Sequence, residues 1–372
     1  MLRKFFVAAT AVLSFHLANA QVASLPFVPA ADSVYKTAEE EKKEPALTIT
    51  GSVDAYYRND LADVKTNNYT SFTPLHNSFA LGMASIKFEH KGHKVSAVAD
   101  LGFGPRARDF SYTDDGITQA VKQAYVSYAP AEWVKLTLGT WATHVGYELL
   151  DPQLNRNYTM SYMFTNGPFS HTGFKAEFTR GKHGLMLGVA NATDFRIPLE
   201  DAINKKAFLA QYSVAVNDNV KVYLNYVGGQ NPDTSKTSQF DAVITAKISE
   251  RFNIGYNGTL NSTRVWDGSK NLDGKAWWGS ALYLNYDPKS WFGLTLRGEL
   301  FSDKNQFKAF SGAAEGGQIF ATTLSANFKA GGFTFIPEIR IDNASKKVLF
   351  TDKKGDLSKT ASSLVFAAVY SF

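Results

Sequence analysis

The sequence predicts a transmembrane antiparallel up-and-down β-barrel of about sixteen strands, with short periplasmic turns and long extracellular loops. Three observations lead there. From Ala46 onward apolar and polar residues alternate with period two. The connections between the alternating runs are short and long by turns. The chain is 14% aromatic with a mean hydropathy of −0.20, and no long apolar run follows the first 20 residues. Strands that are apolar only at alternate positions can cross a bilayer as a closed barrel, because every backbone group finds a partner in the sheet.

The start of the chain reads differently. Arg3-Lys4 is followed by an apolar run from Phe5 to Leu17 and by Ala18-Asn19-Ala20. That order predicts a secretory signal peptide over 1–20, cleaved after Ala20. The run is too short to span a bilayer as a helix. Residues 21–45 contain Pro26, Pro29 and Pro45 and the charge run Glu39-Glu-Glu-Lys-Lys-Glu44, and read as a flexible periplasmic segment. The barrel then occupies 46–372. With no Cys, stability must come from hydrogen bonds and burial. A formal charge of +5 is too weak a bias to imply nucleic acid.

In chain order the strands are expected at 46–58, 77–91, 93–103, 119–129, 132–143, 169–180, 182–193, 205–216, 219–229, 237–248, 251–263, 276–287, 289–303, 316–329, 331–343 and 360–372. The first sets Leu47, Ile49, Val53, Ala55 and Tyr57 against Thr48, Thr50, Ser52, Asp54 and Tyr56. Later, Phe292, Leu294, Leu296 and Leu300 oppose Thr295, Arg297 and Glu299. Phe333, Phe335, Ile339 and Ile341 oppose Thr334, Glu338, Arg340 and Asp342. The polar face holds ion-pairing residues, which a water-filled lumen solvates and a packed core does not. The apolar face is therefore read as outward, toward outer-membrane lipid. The last strand places Leu364, Phe366, Ala368, Tyr370 and Phe372 on one face. Phe366, Tyr370 and Phe372 resemble the terminal signal read by the barrel-assembly machinery, and this strand must pair with the first to remove both edges.

The connection 144–168 is the longest, and it is dense in aromatic, polar and charged residues. The segments around it read Gly139-Thr-Trp-Ala-Thr-His-Val-Gly-Tyr-Glu148, Asn157-Tyr158, Ser161-Tyr-Met-Phe-Thr-Asn-Gly-Pro-Phe169 and His171-Thr-Gly-Phe-Lys-Ala176. Together with Ile49-Thr-Gly-Ser-Val-Asp-Ala-Tyr-Tyr57 they resemble the OmpL-like β-barrel porins of the porin-2 family, common in Bacteroidota. The resemblance covers about 46–372. It implies an outer-membrane pore with no agreed substrate and no catalytic residues to carry over.

Sixteen strands leave an aqueous channel. The residues themselves suggest that 144–168 folds into it, so that Glu148, Asp151 and Arg156 put both charge signs at a constriction. An outward cap is the alternative. Expected on the lumen wall are Lys135, Lys175, Glu177, Arg297, Glu299, Glu338 and Arg340. Their near balance predicts weak ion selectivity, and a phosphate- or anion-selective pore would need a cationic excess. The function expected is passive diffusion of small hydrophilic solutes and ions. A plugged or narrow barrel that binds a surface ligand or partner through loops 59–76 and 264–275 is the alternative. The trimer, common among sixteen-stranded porins, is left open.

No enzyme, cofactor or metal site is expected. His144, Ser161, Ser170 and His171 have no spacing that nucleophilic catalysis requires, and no G-x-S-x-G occurs. His90 and His93 lack further ligands. Gly102-Phe-Gly-Pro-Arg106 is read without a following helix, and so not as a phosphate loop.

Overall fold

Period-two alternation becomes, in the computed structural model, a sheet that closes on itself. The structure describes residues 46–372 apart from 112, 113, 115, 199, 201, 202, 232, 266–268, 271 and 273. The signal-peptide and tail readings for 1–45 fall outside the described residues.

Sixteen antiparallel strands form the barrel. They are β1 (Ala46–Asp60), β2 (Ser78–Lys91), β3 (Val95–Phe103), β4 (Val121–Ala131), β5 (Val134–Ala142), β6 (Ser170–Arg180), β7 (His183–Asn191) and β8 (Lys206–Ala215). The second half is β9 (Val220–Gln230), β10 (Lys236–Lys247), β11 (Phe252–Arg264), β12 (Lys275–Lys289), β13 (Phe292–Asp303), β14 (Gly317–Ala330), β15 (Phe333–Ala344) and β18 (Thr360–Ser371). A small hairpin, β16 (Phe350–Thr351) and β17 (Leu357–Ser358), decorates the last long loop. Each barrel strand pairs with its sequence neighbours, and β18 pairs back onto β1 from Ser52↔Ser371 to Asp60↔Ser363. Gly51 and Phe372 exchange two backbone hydrogen bonds of 3.1 Å, so the seam is paired to the last residue. A closed sheet has no edge left to satisfy.

Connections at one end are tight turns, such as 132–133, 181–182 and 331–332; those at the other end are long. The faces sort as expected. Leu296, Leu324, Ile339, Phe366, Tyr370 and Phe372 are exposed, while their strand neighbours Arg297, Thr323, Ser325, Glu338 and Val365 are buried. Trp133 and Trp291 stand exposed at the tight turns. An apolar belt of this extent around a charged interior requires lipid on the outside.

Three details correct the sequence reading. Strand bounds shift by up to three residues, mostly at turns. The largest shift is at β13, which starts at Phe292 because Ser290 and Trp291 form the turn; β12 runs past Pro288 through a register irregularity between Tyr286 and Lys289. A helix does follow Gly104, over Pro105–Ser111. Pro105 supplies the preset φ of a helix start, and tertiary contacts complete it. The Arg106 guanidinium lies 4.9 Å over the Phe72 ring and 5.0 Å over the Tyr158 ring, and donates to Leu150 O at 3.0 Å. That side chain is internal, so the phosphate-loop reading is not revived.

The third detail is that the lumen is not polar throughout. At the long-loop end the inward residues Trp277, Ala281, Tyr283, Phe301 and Ile319 are apolar. They bury Phe310 and Phe350 from the loops above together with Tyr162 and Met163. This side of the mouth is a packed core. Loop 61–77 is also drawn inward: Phe72 packs on Phe164 and Phe169, and Tyr69 OH donates to Leu349 O at 2.7 Å.

One substitution tests which face meets lipid. Leu324 is at the middle of β14 and points outward. Leu324→Arg is expected to destabilise the barrel in bilayers by about 2–4 kcal/mol. Leu324→Ile should leave the urea midpoint of refolded protein nearly unchanged.

Candidate functional site

The connection between β5 and β6, residues 143–169, runs inside the barrel. It meets wall side chains on β1, β4 and β9 through β15. Backbone groups that leave a sheet still need partners when buried, and the wall supplies them residue by residue. His144 donates from Nε2 to Tyr226 O at 3.2 Å. Gly146 N donates to Asp241 at 3.1 Å and Tyr147 N to Asn257 at 3.3 Å. Two wall carboxylates then take consecutive amides. Glu338 accepts from Tyr158 N at 2.8 Å, Thr159 N at 3.1 Å and the Thr159 hydroxyl. Glu299 accepts from Tyr162 N and Met163 N, both at 2.8 Å.

Those last two amides open the short helix Tyr162–Asn166, whose N-cap Ser161 accepts from Phe164 N at 3.0 Å. An anion at a helix start pairs with amides that have no partner within the helix. Two arginines hold the carbonyl side of the same stretch. Arg297 donates to Thr159 O at 2.7 Å, and Arg340 donates to Met160 O at 2.6 Å while its Nε faces both oxygens of Asp342. The alternation of Arg297 and Glu299 on β13 with Glu338 and Arg340 on β15 therefore matches amides and carbonyls of one crossing strand of loop.

The three charges expected at a constriction all meet wall partners. Glu148 pairs with the fully buried Arg297 at 2.5 Å and accepts from Ser161 N. Asp151 pairs with Lys122 on β4 at 2.5 Å, and Lys122 also reaches Asp100 at 3.1 Å. Arg156 forks onto Asp287 near the turn end and donates to Thr295 at 2.9 Å. Of the other wall residues, Lys135 and Lys175 both approach Glu177, at 3.0 and 3.4 Å. They form a separate group away from the loop's anchors on β13 to β15.

Several anchors were not singled out from sequence. Lys122 and Asp287 looked like ordinary strand and turn residues. Asp194, in loop 192–205, accepts from Phe169 N at 2.6 Å and Ser170 N at 2.9 Å and so fastens the far end of the inner loop. Burial pushes its carboxyl up to about 6. Two glycines are as telling. A Cβ on Gly255 would lie 2.5 Å from the Tyr147 ring, and one on Gly279 would lie 2.3 Å from Met163. Both are inward positions stripped of side chain where the loop touches the sheet. A glycine inside a strand is the available signal for such close approach.

Two cavities flank the loop. The turn-end cavity has a volume of about 940 Å³, with six lysines and four carboxylates among its lining residues. The long-loop cavity has about 510 Å³ and is bordered by Gly167, Pro168 and the inward faces of β9 to β11. Beside the loop, between Gly146, Gly167, Gln239 and Asp241, a space of about 10 Å³ remains. That is room for about one water molecule. Three of the four residues weighed and set aside for catalysis make structural bonds. Ser161 caps a helix, His144 binds a carbonyl, and His171 Nε2 faces the Thr143 hydroxyl at 3.0 Å. Among the described residues no group of three or more His, Asp or Glu is placed to hold a metal ion.

A closed sixteen-stranded barrel with an apolar belt and a loop folded into its bore defines the class of outer-membrane porins. The chain belongs to the family described as "Putative beta-barrel porin-2, OmpL-like", which matches residues 46–372. Its fold is similar to that of an anion-selective porin from Comamonas acidovorans, with TM-score 0.59 and 10% identity over 88% of this chain and 100% of that one. It is also similar to the outer membrane channel DcaP of Acinetobacter baumannii, with TM-score 0.60 and 11% identity over 88% and 97%. OmpT of Vibrio cholerae aligns with TM-score 0.57 and 12% identity over 90% and 100%. At these identities the likeness concerns the fold. No protein of curated function matches the chain by sequence.

Two measurements test how the loop is held. Glu338→Ala removes the acceptor of two buried amides, at a cost of about 1–3 kcal/mol for each group left without a partner. Hydrogen exchange at Tyr158 and Thr159 should accelerate while strand amides keep their protection. The second concerns pH. Burial pulls the His144 imidazole down to about 4, so the folded protein keeps it neutral where an unfolded histidine is charged. Its seat is at full strength above about pH 6.5 and weakens as pH falls toward 4, by about 3 kcal/mol in all. Ring NMR signals of His144 should stay those of neutral imidazole at pH 5.5.

Proposed function

We propose that the chain is an outer-membrane porin through which small hydrophilic solutes and ions diffuse passively, with the inner loop as its constriction. The observation that carries this reading is the division of one bore into two water-accessible cavities by a loop anchored on both sides. Glu148, Asp151 and Arg156 act here through their wall pairs, which fix how far the loop closes the passage. Ring charges that are already paired discriminate ions weakly. The lysine excess around the turn-end cavity adds a slight preference for anions.

In this reading the tight turns face the periplasm, and residues 1–20 direct export. Outward Phe366, Tyr370 and Phe372 are read by the assembly machinery. The unit is a trimer, as OmpT of Vibrio cholerae is in its trimer form. A channel rather than an enzyme also accounts for the commitment of His144, Ser161 and His171 to structural bonds.

A second reading has its own support. The space of about 10 Å³ beside the loop suits a plugged barrel that holds a ligand in its mouth. Planar-bilayer recording of refolded protein separates the two. The porin reading expects stable open steps of small conductance, with a reversal potential close to zero on the anion side. Glu338→Ala should enlarge the steps by freeing the loop. A correctly folded barrel that stays silent in both forms would sink the porin reading.

A further inference from the structure

The two cavities differ in chemistry. The polar groups of the turn-end cavity are mostly lysines and carboxylates, whereas those of the long-loop cavity are mostly amides and hydroxyls set among glycines and apolar side chains. Gln239, Asn261 and Asn231 present amides there, and Thr237 and Thr263 present hydroxyls. They are held in a ladder: Asn261 donates to Gln239 at 3.2 Å, Thr263 donates to Asn261 at 3.2 Å, and Asn231 donates to Thr237 at 2.8 Å. Each amide has two donor hydrogens and two acceptor lone pairs, so Gln239 and Asn261 keep one of each, while Asn231, which donates to both Ser235 and Thr237, keeps only acceptor capacity. Phe195 and Phe307 border the same space with apolar rings.

The carboxylates in this cavity are already engaged. Asp194 accepts two backbone amides, and Asp233 accepts from Ser235 N at 3.1 Å and its hydroxyl at 2.6 Å. The Lys308 ammonium lies 5.0 Å from the centre of the Phe307 ring. The bonded carboxylates leave a site dominated by groups that both donate and accept. The ladder also continues downward. Gln239 lines the narrow space beside the loop together with Asn257 and Thr259. The carboxylate there, Asp241, is held by Asn225 at 2.7 Å, Asn257 at 2.6 Å and Gly146 N.

We infer that the long-loop cavity is a binding subsite for neutral saccharides, which meet it before reaching the constriction. The inference rests on the porin reading for its role in transport. Sugar hydroxyls donate and accept at once, as amides do, and the C–H face of a pyranose ring is apolar and fits against Phe195 or Phe307. A volume of about 510 Å³ holds a small oligosaccharide and lies within the roughly 300–1,000 Å³ of ordinary ligand pockets. The amide series then offers successive partners along the wall toward the neck.

The test uses the refolded full barrel in a detergent without a sugar headgroup. Raffinose is the neutral probe, and succinate and lysine are the charged ones. Calorimetry should detect raffinose binding that weakens at least tenfold in Asn261→Leu and in Phe307→Ala. Thr263→Val, a gentler change, should weaken it less while keeping the same heat-stable barrel on gels. In bilayers, raffinose added on the long-loop side should interrupt the ion current. Tighter binding of succinate or lysine, no raffinose binding, or equal affinity in all variants would overturn the subsite. A barrel that conducts but ignores raffinose refutes the subsite alone. One that binds raffinose without conducting refutes the pore and leaves the subsite standing.

Discussion

Glu299 and Glu338 each hold two consecutive backbone amides of a loop that has no sheet to join. Most of what is specific about the barrel depends on that constraint. A chain segment inside a bore is cut off from regular partners, yet its amides and carbonyls still require them. The wall meets the need with carboxylates for the amides and with Arg297 and Arg340 for the carbonyls. These charges would be expensive to bury alone. Here the two carboxylates take loop amides, Arg297 pairs with Glu148 and Arg340 with Asp342, and the loop is fixed in turn.

This arrangement makes the lumen lopsided. From β12 through β18 the bore is occupied by loop, ion pairs and an apolar cluster around Trp277 and Phe301. The inward faces of β9 to β11 keep amides and hydroxyls toward the remaining space. A solute moving past the loop would therefore meet one polar wall and one filled wall. The chemistry of the passage is decided by far fewer residues than the circumference of the barrel contains.

Much of the barrel was legible in sequence because a bilayer enforces a simple rule. Lipid demands apolar residues outward, so alternation such as Phe333, Phe335, Ile339 and Ile341 against Glu338 and Arg340 reports directly on the sheet. Alternating loop lengths report on its two ends. The inner loop stood out by its length and aromatics, but its partners did not. Glu148 finds Arg297, 149 residues away, and nothing local marks that pair. Lys122 and Asp287 looked like an ordinary strand residue and a turn residue for the same reason. The helix at Pro105 was missed because contacts with Leu150, Phe72 and Tyr158 complete it, and no long amphipathic repeat announces it. Gly255 and Gly279 carried a signal, glycine at an inward strand position, whose meaning depends on what leans against it.

The sequence distance between the loop and its anchors also orders events in time. Tyr158 and Thr159 bond to Glu338 from 180 and 179 residues upstream, and Tyr162 bonds to Glu299 from 137. Contacts so distant along the chain form late, because the long intervening segment must first be brought together. The loop is synthesised early and finds its seat only when the C-terminal strands arrive. Until then the nascent sheet carries a polar, aromatic segment with nowhere to rest. Closure of the β1–β18 seam and docking of the loop are thus coupled steps near the end of folding, and a weakened anchor on β15 would slow assembly as well as loosen the finished barrel.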